Sequence, residues 1–403
     1  MIKVSRRDLG RLAAGVFAAR AVPASAQPTA SSSYVGPLTG VDEARLDGRR
    51  FDPVVYIRDL YAAAPRLLRF DATTREDAEA WQRQLRAKLR ELLGMFPFDS
   101  PERDPAQSAP VQRPPLRPVT LETRAFPKYR REKIVFDSRP GVSVLAYVLL
   151  PAGATTPVPA MICVPGHGRG VDDIVGIDEQ GRDRTDKSGY QHDFAIQVAE
   201  AGLAAVAIEP MAFGCRRDPA NARRGLAQKA CEPVAGGALM VGQTLIGWRV
   251  WDIMRTIDYI ATRSDLDATR VGCMGISGGG TATLFAAALE PRVRVAMVSG
   301  YLNTFRDSVG SLAHCIDNYV PGILGWAEMH DVAGLIAPRP LFVESGEQDR
   351  IFPVVASVES FHAVREIYKV FGADNQLDQE VFPDEHTFWG RRGISFLARH
   401  LVR

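Results

Sequence analysis

One stretch, Arg270-Val271-Gly272-Cys273-Met274-Gly275-Ile276-Ser277-Gly278-Gly279-Gly280, constrains this chain more than any other. A short apolar run stops at a serine with a glycine two residues before it and two after, and a small-residue helical run from Thr281 to Leu289 follows. Strand, tight turn and helix are therefore expected in immediate succession. In such a turn the serine takes a strained backbone conformation that lifts its hydroxyl clear of a sheet, and the flanking glycines remove side chains that would collide. Ser277 is the candidate nucleophile.

A serine hydroxyl is a poor nucleophile at its own pKa, so it needs a histidine base and a carboxylate that orients the base. Around this kind of turn both follow the serine in sequence, on loops leaving later strands. Of the seven histidines, His167 and His192 precede the serine, and His314 and His330 precede the strand expected to deliver the acid. His362 lies in a helical run and His400 in the last helix, which leaves His386, directly after the apolar run ending at Phe382. Pro340 to Glu344 reads as a strand and Ser345-Gly346-Glu347-Gln348-Asp349 as the loop leaving it, so Asp349 is the expected acid, with Glu347, Asp384 and Glu385 as competitors. The oxyanion of acyl transfer needs two donors. Gly278 supplies one, and the other is expected from Val164-Pro165-Gly166-His167-Gly168-Arg169, through the amide of His167, Gly168 or Arg169. The His167 side chain is expected to pack under that loop.

Period and punctuation place these residues on a sheet. Lys133 to Ser138 and Val142 to Leu150 flank the turn signal Arg139-Pro140-Gly141 and read as an antiparallel hairpin. Short runs rich in Val and Ile then alternate with helical stretches, among them Ala195 to Ala201, Gly247 to Thr262 and Val355 to Phe371. The expected fold class is α/β, with a mostly parallel, doubly wound sheet, an opening hairpin and helices on both faces. Upstream, Ala78, Trp81, Leu85, Leu89, Leu92 and Leu93 form one apolar helical stripe, closed by Gly94 and Pro97. Pro101 to Pro118 reads as a connector. The expected organisation is an export signal at 1–26, a leader, helical extension and connector at 27–118, and a catalytic domain at 119–403.

The first 26 residues differ in kind from the rest. Lys3, Arg6, Arg7 and Arg11 precede the apolar stretch Leu12 to Val22, and Ala24-Ser25-Ala26 offers a small-x-small cleavage site. Ser5-Arg6-Arg7-Asp8-Leu9 is similar to a twin-arginine signal, which implies a periplasmic or secreted protein. The bland alternative is an amphipathic N-terminal helix. Removing residues 1–26 takes basic residues from 49 to 44 and acidic from 47 to 46, so the formal charge moves from +2 to −2. That balance leaves no electrostatic footprint for nucleic acid. No apolar run is long enough for a bilayer span, so no stable membrane insertion is expected once the signal is removed.

Five cysteines, Cys163, Cys215, Cys231, Cys273 and Cys315, contain no paired metal or redox spacing, and the neighbouring His314 and Cys315 make a weak ligand set. No metal or cofactor is expected. Cys215 and Cys231 flank one polar insertion and could be bridged in an oxidising compartment. Met211 to Ile246 is long for a connection and carries Arg216, Arg217, Arg223 and Arg224, which could hold a substrate carboxylate or form a solvated loop. Trp326 and Trp389 could stack on a sugar or acyl group, or pack.

With Gly275-Ile276-Ser277-Gly278-Gly279, the His167-Gly168 loop, Gly346-Glu347-Gln348-Asp349 and Asp384-Glu385-His386 in this order, the chain resembles the α/β-hydrolase superfamily from about residue 50 to its end. Within it, Ala337-Pro338-Arg339-Pro340 and the helical segment 53–96 are similar to the branch of dienelactone-hydrolase-like and acetyl-xylan-esterase-like enzymes. Dienelactone hydrolases proper carry cysteine where this chain has Ser277. The resemblance implies the α/β-hydrolase fold and a cofactor-free serine hydrolase cleaving an ester through an acyl-enzyme. Its exported members imply a small-molecule or oligosaccharide ester substrate, with acetyl or methyl ester cleavage on a carbohydrate leading. A peptidase or amidase with the same three residues, or a silent binding protein on this fold, are the alternatives.

Overall fold

The computed structural model describes residues 36–95, 113–155, 157–184, 186–222 and 231–402. The expected export signal, nearly all of the leader, most of the connector, and Arg223 and Arg224 lie outside the described residues. The described residues 36–52 belong to a unit of their own, in which the 3-10 turn Glu43–Leu46 is started by the Asp42 carboxylate accepting the Ala44 amide at 3.0 Å. The rest of the chain, from Pro53, forms a second compact unit.

That unit is built on a nine-stranded sheet ordered β1-β2-β3-β5-β4-β6-β7-β8-β9. The strands are β1 Val119–Ala125, β2 Tyr129–Arg139, β3 Val142–Pro151, β4 Val158–Val164, β5 Ala204–Ile208, β6 Leu266–Ile276, β7 Val293–Ser299, β8 Leu341–Gly346 and β9 Leu377–Phe382. β1 to β3 are antiparallel, β3 meets β5 antiparallel, and every pair from β5 to β9 is parallel. The hairpin forms as expected, with Gly141 at φ +73° in its turn. β1 was not anticipated, because its residues are exposed on both faces and leave no alternation to read.

Successive strand residues enter opposite cores, the period of two expected of a sheet covered on both sides. Ala160, Ile162 and Val164 belong to one apolar cluster and Met161 and Cys163 to the other. The helices are α1 Pro53–Ala63, α2 Arg75–Leu92, α3 Phe194–Glu200, α4 Pro219–Ala222, α5 Cys231–Met240, α6 Leu245–Ile260, α7 Gly278–Leu289, α8 Met329–Gly334, α9 Val354–Val370 and α10 Gly393–Val402. α2, α6, α7 and α9 cover the first face, and α3 and α10 the second. Among the described residues no helix is long and apolar enough to cross a membrane.

α2 joins the main core. Thr74 caps it by accepting the Asp77 amide, and its stripe of Ala78, Trp81, Leu85 and Leu89 is buried. In proteins most helical stability comes from packing of the apolar face. Burial of each large apolar side chain contributes roughly 1.5–3 kcal/mol, so docking rather than propensity holds it. Gln82 donates to the Gly334 and Ala337 carbonyls, and Arg86 to those of Ala288 and Leu335. The C-terminal end of α7 is tied down as well, since Arg339 donates to the carbonyls of Ala287, Glu290 and Val293. The C-terminal end of the helix that follows Ser277 is thereby held by two arginines.

Candidate active site

Ser277 sits between β6 and α7 at φ 57° and ψ −123°, a conformation that costs a non-glycine residue roughly 1–3 kcal/mol. The glycines around it are sterically required. A Cβ on Gly275 would lie 2.5 Å from the Gly279 carbonyl oxygen, and one on Gly279 would lie 2.0 Å from the Val164 carbonyl oxygen. Two bonds hold the strained residue: its amide donates to Ser299 at 3.1 Å, and its carbonyl accepts the Thr281 amide at 2.8 Å. Ser277 is 8% exposed and does not cap its own helix with its side chain.

His386 and Asp349 are brought together by the loops leaving β9 and β8. The Gln348 amide donates to Asp384 and the Glu347 amide to Phe382, and the loops approach so closely that a Cβ on Gly346 would lie 2.2 Å from the Glu385 carbonyl oxygen. Asp349 Oδ2 is 2.6 Å from His386 Nδ1, and Asp349 Oδ1 accepts the Ile351 and Phe352 amides at 3.0 and 2.9 Å. A carboxylate only accepts, so Nδ1 carries the proton and Nε2 has a free lone pair. Nε2 is buried and has no hydrogen-bond partner. The imidazole lies between the rings of Tyr190 and Phe352, at 5.9 and 5.7 Å, and against Gly300, whose Cβ would be 3.0 Å from His386 Cε1. Gly300 follows Ser299, the residue that accepts the Ser277 amide. Of the four acids considered, Asp349 is the one that bonds the imidazole; Glu347 is exposed, Asp384 accepts the Glu385 amide, and Glu385 faces Arg350 at 3.8 Å.

The His-Gly loop abuts the serine, since a Cβ on Gly166 would lie 3.1 Å from Ser277 Cβ. Three amides were open as the second oxyanion donor. Arg169 is removed from that set because its amide donates to Asp173 at 2.8 Å, while the Gly166 amide is held by Gln191 at 2.7 Å. The His167 and Gly168 amides remain, beside Gly278 at the start of α7. Tyr190 fixes this loop by donating its hydroxyl to the His167 carbonyl at 2.6 Å.

The His167 side chain does pack under the loop, but in a polar cluster that spacing could not reveal. Its ring lies 4.7 Å from that of Phe213, and its Nε2 is 3.3 Å from Asp317 Oδ2 and 3.7 Å from Cys231 Sγ. Buried Arg249 donates to the Asp317 carboxylate and to the Met211 carbonyl. The ligand-like partner of Cys315 is therefore Asp317, two residues on, while His314 packs on Phe352 at 4.8 Å.

Each residue expected as a substrate contact has a partner within the fold. The Arg216 side chain is 7% exposed and donates to Asp252 at 2.7 Å and to the Glu209 carbonyl at 2.9 Å, so its guanidinium ties the segment after β5 to α6. Trp326 packs against the main core with Lys88 4.1 Å over its ring. Trp389 stacks on Phe382 at 5.1 Å, under Arg391. Cys215 and Cys231 are free thiols, Cys215 exposed and Cys231 buried in the cluster with His167.

Two buried carboxyls were also missed, each visible in the sequence only as an acid ending an apolar strand run. Glu344, on β8, accepts the Ser299 hydroxyl and the Trp389 and Gly390 amides, and so fastens the segment after His386; burial pushes it up to about 7 against those donors. Glu209, after β5, accepts the Val171 amide at 3.0 Å, and a Cβ on Gly170 or Gly214 would come within 2.1 or 1.8 Å of its carboxylate. Burial pushes Glu209 up to about 8, the Val171 and Cys215 amides opposing. Because the folded value lies above the unfolded one, its contribution is fully present below about pH 4.3 and is lost as pH rises through 8. Glu209→Gln is therefore expected to gain up to a few kcal/mol on the native protein between about pH 5 and 8, read as diverging urea unfolding curves. Parallel curves would remove Glu209 as the source.

A model of the Abhydrolase family matches residues 40–380. YtaP of Bacillus subtilis (strain 168), described as a hydrolase, is 26% identical over 253 residues, covering 60% of this chain and 78% of that one. A Bacteroides fragilis NCTC 9343 protein described as an acetyl xylan esterase superposes with a TM-score of 0.67 at 20% identity, over 83% of each chain. A glucuronoyl esterase from Solibacter usitatus does so with a TM-score of 0.57 at 17% identity, over 88% of this chain and 99% of that one. At these identities the likeness to the solved structures is one of fold.

Proposed function

The chain belongs to the Abhydrolase family, and from that premise we propose that it is an exported serine esterase that cleaves an acetyl or methyl ester of a carbohydrate. The observation that carries the reading is the Asp349 to His386 bond, which leaves Nε2 buried and unpaired, together with a serine held in a strained turn after a neighbouring strand. His386 Nε2 takes the Ser277 proton while Asp349 holds the tautomer and stabilises the imidazolium. Ser277 Oγ attacks the ester carbonyl, and the oxyanion is met by the amides of Gly278 and of the His167-Gly168 loop. The alcohol leaves with the proton from His386. Water, deprotonated by His386, then releases the acid and restores the serine.

Support for a carbohydrate ester comes from fold relatives described as acetyl xylan and glucuronoyl esterases, and support for export from the arginine pair ahead of the apolar N-terminal stretch. The test is a fluorophosphonate probe with peptide mapping, followed by turnover of acetylated and methyl-esterified oligosaccharides beside peptide substrates. Labelling at Ser277 with ester turnover well above amide turnover is expected. An unlabelled protein would be a silent fold, and faster amide cleavage a peptidase.

A further inference from the structure

Four side chains that the esterase cycle leaves without a task converge beneath the His-Gly loop. His167, Cys231, Cys315 and Asp317 each offer a donor atom, and these atoms all lie within 4.8 Å of one another. They come from the loop after β4, the first residue of α5, and the turn Ile316–Asn318 with the residue before it. Cys231 and Asp317 are almost fully buried.

The separations suit a cation site. A charge-assisted N–H···O bond closes to about 2.7–2.9 Å, and His386 meets Asp349 at 2.6 Å in this same molecule. His167 Nε2 stands off Asp317 Oδ2 at 3.3 Å, with Cys231 Sγ 3.7 Å from the nitrogen and 3.6 Å from the oxygen. Zinc bonds of about 2.0–2.2 Å to nitrogen and oxygen and about 2.3 Å to sulfur, set tetrahedrally, require edges of about 3.3–3.5 Å between N and O and about 3.5–3.7 Å between S and either. The three edges among His167, Cys231 and Asp317 agree, and Cys315 Sγ lies within 4.8 Å of the other donor atoms. Charge points the same way. Two thiolates and a carboxylate around a divalent cation carry one net negative charge, and Arg249 supplies one positive charge. Arg249 donates to the Asp317 carboxylate and lies 3.5 Å from Cys231 Sγ, where an outer partner of metal ligands belongs.

We propose that His167, Cys231, Cys315 and Asp317 form a closed four-ligand site for Zn2+ that pins the His-Gly loop to α5. Binding releases the two thiol protons to solvent as two Zn–S bonds form, while the imidazole enters neutral and the carboxylate charged. Four protein ligands leave no position open for water, so the ion is structural. Its consequence for catalysis rests on the proposed role of Ser277: the His167 ring lies so close to Gly278 that a Cβ there would be 2.9 Å from Cε1, so the site sets the spacing between the two oxyanion donors.

Metal content tests the proposal independently of ester turnover. The full chain is purified and its zinc measured by mass spectrometry, then it is stripped with chelator and titrated with ZnCl2 and, separately, CoCl2. Stoichiometric zinc is expected, with an intense visible cobalt spectrum of tetrahedral type and a thiolate-to-cobalt charge-transfer band. Cys231→Ser and Cys315→Ser should lose at least tenfold in zinc affinity; the cobalt spectrum of the unmutated protein stands if these variants fail to fold. Failure to take up stoichiometric metal, a cobalt spectrum without thiolate bands, or an intact mass and thiol count giving a Cys231 to Cys315 disulfide would each overturn the site.

Discussion

Ser277→Ala is expected to lower kcat for ester cleavage by about a millionfold while the protein stays folded. The chemical loss is complete because no other hydroxyl replaces the one lifted by the turn between β6 and α7. The structural cost is small because alanine keeps the Cβ and inherits the same positive φ, and Ser277 makes its two holding bonds through its backbone. Kinetics on an acetylated oligosaccharide, with circular dichroism and a melting curve as controls, provide the check. A folded variant retaining activity within tenfold of the parent would remove Ser277 from the proposed cycle.

Asp349→Asn is expected to cost about 10⁴-fold in kcat with little change in KM. The surroundings dictate which way the new amide turns. Oδ1 of Asp349 accepts two backbone amides, from Ile351 and Phe352, so the single oxygen of asparagine must take that place. Its NH2 group then faces His386 Nδ1, where Oδ2 now accepts. Nδ1 is forced to accept, the proton moves to Nε2, and the lone pair that the proposed cycle uses as base is gone. Asp349→Ala imposes no tautomer, so it should be less damaging than the near-isosteric asparagine. The reverse ranking would sink the tautomer account.

Much of this site can be read from one dimension because each of its members sits at a strand end. Glycine spacing around Ser277, the loop after Glu344 and the loop after Phe382 are local signals, and strand order converts them into neighbours across adjacent parallel strands β6, β7, β8 and β9. The substrate contacts could not be read in that way. Arg216, Trp326 and Trp389 have the chemistry of ligand-binding residues, but Asp252, Lys88 and Phe382 pair with them, the first two from distant segments and Phe382 from the end of the preceding strand. A long polar insertion announces itself by composition, whereas the destination of each of its arginines depends on which buried carboxylate it meets.

By itself, the sequence determined the sheet from β2 onward with its two covered faces, and the turn that must strain Ser277. Apolar period and glycine spacing are properties of neighbouring residues and survive without tertiary information. It also determined the order in which acid and histidine follow the serine. Only the tertiary structure decided that Asp349 and not Glu347 bonds the imidazole, and that the Arg169 amide is already engaged by Asp173. It alone decided that the donor atoms of His167, Cys231, Cys315 and Asp317 converge. Those outcomes depend on distances between segments far apart in sequence, fixed by how loops pack over the sheet, and no spacing rule along a chain encodes them.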